Sequence, residues 1–166
     1  MAAYKCIVVS NRLPVSVAKD ETGALVFSPS SGGLATAMSS LDDNQTGKLW
    51  IGWPGIASDN LTPAEHSTIT KKLRKFGCYP VFLTRSQINL FYEGYANDII
   101  WPLFHYFQSL AVFKDEYWQA YKEVNLIYSK AVKRYAAEDC AIWVHDYHLM
   151  LLPNLIRAAL PRASVG

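Results

Sequence analysis

Short apolar runs alternate with stretches of helical periodicity along the chain. The apolar runs predict strands at 5–10, 48–52, 78–83 and 141–144. Pro80, inside the third run, cannot donate a hydrogen bond to a sheet, so we expect that strand to lie near a sheet edge. Buried strands without strict alternation, separated by helices, predict an α/β fold with a mostly parallel sheet flanked by helices.

Helices are predicted from apolar spacing and from capping signals. Ring and apolar residues recur at three- and four-residue steps over 115–137, which is typical of an amphipathic helix. Thr62 at the N-cap, Pro63 at the first helical position and Glu65 at the third predict another helix. Two further helices are expected, one after 30–33 and one at 150–159.

Three remaining segments have other patterns. The segment 14–29 alternates around 20–23, where a Gly favours a turn, so it predicts a β-hairpin. The aromatic segment 87–110 is expected to form short helices and loops. The residues 160–166 resemble the approach to a further strand, which suggests a truncated unit.

Composition narrows the class of protein. Of the residues, 51% are hydrophobic and 18% charged, which is typical of a folded domain. The net charge of +2, without a basic run, argues against nucleic-acid binding. No apolar run approaches the ~18 residues of a membrane span, so we expect a cytoplasmic protein that does not bind a membrane. Cys6, Cys78 and Cys140 lie far apart and are expected to be small core residues in a reducing compartment.

Polar side chains follow several predicted strands. Ligands of open parallel sheets bind outside the carboxyl ends of the strands, so these residues are candidate site residues. Arg12 follows the first strand, and its planar fork can hold a phosphate through two hydrogen bonds, although a surface salt bridge is an alternative. Gly32 and Gly33 precede a predicted helix and could seat a phosphate, although Gly-Gly is often only a turn.

The residues 145–148, HDYH, follow the last buried strand. His145 and His148 could ligate a metal, but other clustered ligands are missing, so no metal is predicted. Asp146 is more attractive as an acceptor for hydroxyl groups. Alternatively, Asp146 caps the helix that follows.

Five blocks, in this order, resemble those of the trehalose-6-phosphate synthases: IVVSNRLPVSV, SSGGLATAM, LWIGWPG, FYEGYANDIIWPLFHY and WVHDYHLMLLPNLIR. The resemblance implies an enzyme that transfers glucose from a sugar nucleotide, usually UDP-glucose, to glucose 6-phosphate. It also implies retention of anomeric configuration, no metal or other cofactor, and the GT-B architecture of two Rossmann-like domains that face a cleft.

The resemblance implies an acceptor site built from four of the motif residues. Arg12 and Tyr92 would bind the phosphate of glucose 6-phosphate. Trp53 and Trp101 would supply further aromatic walls of the same pocket.

The resemblance also implies roles at the donor and at the reaction centre. Gly33, with Gly32 beside it, would allow the backbone to approach the diphosphate of UDP-glucose. Asp146 would bond sugar hydroxyls where the reaction occurs, and His145 and His148 would shape its loop.

The resemblance covers the N-terminal half of the family's sequence. Residues 1–166 are therefore expected to form the N-terminal, acceptor-side domain, incomplete at its C-terminus and without the C-terminal donor-binding domain. One hypothesis is half of an active glycosyltransferase. The other is a non-catalytic sugar-phosphate-binding or regulatory module of trehalose metabolism. The donor's nucleotide (UDP, ADP or GDP) and a homo-oligomer stay open.

We expect the isolated chain to be catalytically inactive. In the family, the charged residues that stabilise the donor lie in the second domain, and losing such groups lowers the rate by orders of magnitude each. Incubation with UDP-glucose and glucose 6-phosphate should release no UDP above background. Clear turnover would contradict this expectation.

Overall fold

The computed structural model describes residues 4–30 and 47–166. The strands in these residues are β1 (Tyr4–Arg12), β2 (Val15–Lys19), β3 (Leu25–Pro29), β4 (Lys48–Trp53), β5 (Cys78–Pro80), β6 (Ala136–Val144) and β7 (Ser164–Val165). Five of them form one sheet in the order β5-β4-β1-β6-β7, and each pairing is parallel. The predicted parallel α/β sheet is confirmed, with β5 at an edge, as Pro80 indicated.

Helices connect the strands. They are α1 (Pro63–Arg74), α2 (Arg85–Gln87), α3 (Trp101–Phe104), α4 (Asp115–Tyr135) and α5 (Leu152–Ala159), with a π-helix (Ile88–Ile100) between α2 and α3. Short 3₁₀ helices lie at Ser58–Asn60, Gln108–Leu110 and Tyr147–Leu149. The helix expected after 30–33 lies outside the described residues.

The segment 87–110 differs from its prediction, because it is helical over most of its length. Gly94 does not interrupt the helix; it lies so close to Tyr117 that an added Cβ would be 2.6 Å from the ring. Pro102 cannot donate a backbone hydrogen bond to the preceding turn. The carbonyl of Asp98 accepts instead from the N–H of Val112, at 3.0 Å. Tertiary contacts therefore explain why the helical segment tolerates both Gly94 and Pro102.

The centre of the sheet is buried on both faces, whereas Ala141 and Trp143 of β6 are exposed. Ile7 and Val9 of β1 pack in the core that includes α4 and α5, whereas Val8 packs in a second core with α1 and the β2–β3 hairpin. Successive residues of a strand point to opposite faces, so a strand covered on both sides shows no polar alternation. This explains why β1 reads as a continuous apolar run.

The start of α1 has the capping box that the sequence predicted. The Thr62 side chain accepts from the N–H of Glu65, and the Glu65 carboxylate accepts from the N–H of Thr62 at 2.7 Å. The same carboxylate pairs with Lys19 of β2 at 2.7 Å. The capping box thus also attaches the hairpin to the helix.

Two findings concern the environment of the protein. In the part of the chain that the structure describes, no helix is long and apolar enough to cross a membrane. Cys78 and Cys140 are buried, Cys6 is partly buried, and all three are free thiols. The cytoplasmic location and the reducing compartment stay predictions.

Replacing Glu65 by Gln should flatten the dependence of stability on acid pH. The bond with Lys19, followed by those with Thr62, lowers the pKa of Glu65 from 4.5 to about 2. A lowered pKa adds stability that is present above the unfolded value and lost as the pH falls through the folded value. Urea unfolding of the wild type should therefore lose more free energy between about pH 6 and about pH 3 than that of Glu65→Gln. Glu21→Gln, in the exposed hairpin turn, is the control; a loss for Glu65→Gln as large as the wild type's would contradict the assignment.

Candidate active site

The candidate residues from three adjacent strands lie along one edge of the sheet. Arg12 ends β1, Trp53 ends β4, and Asp146 follows β6. These strands are parallel neighbours in the order β4-β1-β6, so their carboxyl ends coincide. Backbone hydrogen bonds continue the pairing beyond the strands, from Leu13 N–H to the Trp53 carbonyl at 3.0 Å and from His145 N–H to the Val9 carbonyl at 2.8 Å.

Arg12 is held by neutral groups. Its Cζ lies 4.6 Å from the centre of the Trp53 ring, and its Nη2 donates to Ser16 Oγ at 3.2 Å. Gly55, with a φ of +96°, provides the space, since an added Cβ would lie 2.8 Å from that Nη2. Among residues 4–30 and 47–166, no carboxylate pairs with the exposed guanidinium. The alternative of a surface salt bridge is therefore not observed within these residues, and the cation can accept an anionic ligand.

A series of rings joins Arg12 to the HDYH loop. Trp53 is 5% exposed, and its Nε1 donates to the Ile56 carbonyl at 3.0 Å. Its ring centre is 6.3 Å from that of Tyr92, whose ring stacks on His148 at 5.5 Å with an interplanar angle of 19°. His148 stacks in turn on Tyr147 at 4.3 Å. Ring contacts therefore connect the predicted acceptor residues Arg12, Trp53 and Tyr92 to this loop.

Asp146 is exposed and has an unusual backbone. Its φ of 73° and ψ of 163° lie in a region that is occupied almost only by glycine. Its Oδ1 accepts from the Tyr147 N–H at 2.8 Å, so the helix-capping alternative is also observed. Its Oδ2 lies 3.3 Å from Nδ1 of His148. His148 is the main cause that lowers the pKa of Asp146, so the group is an ionised acceptor at neutral pH.

The two histidines occupy different environments. His148 is 7% exposed, and neither of its ring nitrogens has a well-aligned hydrogen bond within the described structure. The ring of His145 packs against Trp143 at 4.5 Å, and burial lowers the pKa of His145. Among the residues described, no three His, Cys, Asp or Glu side chains form a group that could hold a metal ion.

Among the described acceptor-site candidates, Trp101 does not join the ring series. Trp101 is 43% exposed and stacks on His105 at 4.1 Å. It is Phe104, from the same helix, whose ring meets Tyr147 edge-on at 6.0 Å. Gly32 and Gly33 lie outside the described residues, so their part in donor binding stays a prediction.

The sequence did not identify three buried residues of α4 that support the backbone of the site. Tyr121, Asn125 and Tyr128 of α4 make hydrogen bonds to the backbone of the site loops. The tyrosines had been recognised only as part of the buried stripe of that helix. A buried tyrosine hydroxyl needs a hydrogen-bond partner, and that requirement is the signal that could have found them.

The geometry is that of a parallel α/β domain with candidate polar and aromatic residues at one edge of its sheet, and comparison with known proteins gives its family. The family model of glycosyltransferase family 20 matches residues 4–166. The chain therefore belongs to glycosyltransferase family 20.

Relatives and solved structures agree with this family. The chain is 41% identical over 162 residues to alpha,alpha-trehalose-phosphate synthase (UDP-forming) 2 of Aspergillus fumigatus, covering 97% of this chain and 33% of that protein. It is 44% identical over 154 residues to the 56 kDa subunit of the UDP-forming synthase of Kluyveromyces lactis, covering 91% and 30%. The structure of a UDP-forming alpha,alpha-trehalose-phosphate synthase from Burkholderia xenovorans in complex with glucose-6-phosphate superimposes with a TM-score of 0.69 at 26% identity, covering 98% of this chain and 32% of that one. The chain thus spans about a third of the length of these relatives.

Replacing His148 by Gln should raise the pKa of Asp146 toward 3.8, because His148 is the largest contributor to its lowering and His145 the smallest. Titration of the Asp146 carboxyl carbon by NMR measures this shift. His145→Gln is the matched control and should change the pKa less. An equal or larger shift for the control would contradict the assignment of His148 as the main partner.

Proposed function

We propose that this chain binds glucose 6-phosphate as the acceptor side of a glucosyltransferase that forms trehalose 6-phosphate from UDP-glucose. The observation that carries the proposal is the guanidinium of Arg12. It has no carboxylate partner among the described residues, and it is held against the Trp53 ring at the sheet edge that also carries Asp146. A guanidinium that neutral groups hold in place is suited to a phosphate.

The resemblance assigns the acceptor contacts, and the ring contacts that join Arg12, Trp53 and Tyr92 support the assignment. Arg12 and the hydroxyl of Tyr92 bind the phosphate, and the ring of Trp53, between them, forms a wall of the pocket. Trp101 is assigned to the same pocket by resemblance, although its ring stacks on His105 in the unliganded chain.

Asp146 acts on the sugar at the reaction centre. Its lowered pKa keeps the carboxylate ionised, and its half-exposed side chain (52%) can accept hydrogen bonds from sugar hydroxyls. The protein then contributes mainly orientation and charge stabilisation to a transfer that retains configuration and needs no metal. We propose that a second domain holds most of the donor.

The relatives support this assignment by their names. Those from Aspergillus fumigatus and Kluyveromyces lactis are UDP-forming synthases, and the similar Burkholderia xenovorans structure contains glucose-6-phosphate. A donor that releases UDP in this reaction is UDP-glucose.

Arg12→Ala should weaken glucose 6-phosphate binding about tenfold or more, because a charge-assisted hydrogen bond contributes about 1.5–3 kcal/mol. Tyr92→Phe, which removes only the hydroxyl, should weaken it less. Titration calorimetry with the 166-residue chain measures both. Arg134→Ala, at an exposed position of α4, is the matched control and should bind as the wild type does. Equal affinity of Arg12→Ala and the wild type would exclude the proposed acceptor site.

A further inference from the structure

One face of α4 carries three buried polar side chains. Tyr121, Asn125 and Tyr128 are spaced by four and three residues, which places them on the same side of a helix. They are 1%, 0% and 0% exposed, respectively. Each directs a donor at a backbone carbonyl of another segment, and all of these carbonyls lie at the carboxyl edge of the sheet.

Tyr128 supports the end of β1. Its hydroxyl donates to the Asn11 carbonyl at 2.8 Å. Asn11 immediately precedes Arg12, and the pairing of β1 with β4 is irregular between Val9 and Arg12. An irregular strand end has fewer ladder hydrogen bonds to define its path. Burial raises the pKa of Tyr128, whereas the backbone N–H of Trp53 and, to a smaller extent, the positive charge of Arg12 oppose this shift.

Tyr121 and Asn125 support the HDYH loop. The Tyr121 hydroxyl donates to the Tyr147 carbonyl at 2.7 Å and accepts from the Met150 N–H at 3.0 Å. Asn125 Nδ2 donates to the His148 carbonyl at 3.3 Å. Both of these carbonyls follow Asp146 directly along the chain. Side chains of α4 therefore hold the backbone of this loop at two successive residues.

We infer that Tyr121, Asn125 and Tyr128 are positioning residues, and that α4 fixes Arg12 relative to Asp146 by hydrogen bonds to the backbone of both loops. This inference rests on the proposed function, because that function gives the two loops a shared ligand. If the phosphate binds at Arg12 and a sugar hydroxyl at Asp146, a rigid helix that contacts both loops determines whether one ligand can reach both groups.

The same helix offers a matched control for general stability. Tyr135 lies seven residues after Tyr128 and is also buried, at 4% exposure. Its hydroxyl accepts from Arg74 Nη2 at 2.6 Å, and its ring packs against Tyr4 at the opposite end of β1. Tyr→Phe at 128 and at 135 therefore removes the same atom from similar environments, but only one of the two contacts a site loop.

The experiment compares glucose 6-phosphate affinity and melting temperature for the 166-residue wild type, Tyr128→Phe and Tyr135→Phe. We expect both variants to lose stability, since Tyr128→Phe leaves the buried Asn11 carbonyl without its donor and Tyr135→Phe removes the hydroxyl that accepts from Arg74. We expect only Tyr128→Phe to weaken binding, by about threefold to tenfold. Wild-type affinity in Tyr128→Phe, or equal weakening in Tyr135→Phe, would overturn the inference.

A second measurement distinguishes this inference from the proposed function. The Asn11 carbonyl and the Arg12 N–H belong to one peptide unit, as do the Tyr147 carbonyl and the His148 N–H. In ligand-free NMR spectra, Tyr128→Phe should therefore shift or broaden the Arg12 amide signal and Tyr121→Phe the His148 signal, whereas Tyr135→Phe should change neither. A wild type that does not bind glucose 6-phosphate would refute the proposed function alone. Unchanged Arg12 and His148 signals would refute the positioning role.

Discussion

The parallel pairing of β1 with both β4 and β6 is the constraint on which the rest of the structure depends. Because the three strands run in one direction, residues that follow them are brought to a single edge although they are far apart in the sequence. β1 is central and buried on both faces, so its path is fixed by packing. The irregular end of β1 and the loop after β6 lie beyond the regular ladder, and there side chains of α4 replace the missing strand contacts.

The described surroundings of Arg12, which contain no paired carboxylate, show how neutral groups can fix a cation. An aromatic face attracts a guanidinium through its quadrupole and carries no net charge, so the charge of the arginine is kept. A hydroxyl from Ser16 orients one nitrogen, and the absent side chain of Gly55 leaves room for the group. A carboxylate in the same place would hold the side chain more strongly but would compete with an anionic ligand.

Much of this arrangement could be predicted from the sequence, and the exceptions have physical causes. Apolar runs located β1, β4 and β6, the strand-end rule selected Arg12 and Asp146, and the family resemblance added Trp53. Short helices were expected in the segment 87–110, but the continuous helical run over 85–104 was not, because Gly94 and Pro102 are helix breakers in local terms. Only the packing of Tyr117 and the bond from Val112 show why they are tolerated. Periodicity identified α4, but it reports burial and not the direction of a hydroxyl, so the bonds of Tyr121 and Tyr128 could not be read from it.

Position 146 has two conflicting requirements: its backbone conformation favours glycine, and its proposed role needs a carboxylate. Its backbone conformation destabilises the folded chain by roughly 1–3 kcal/mol for any residue other than glycine. Glycine at this position would relax the loop and remove the carboxylate. Selection of this domain for thermal tolerance alone would therefore favour glycine at this position. The selected molecules would fold well but would lack the carboxylate. A screen for robustness would discard the group that the proposed function assigns to the reaction centre.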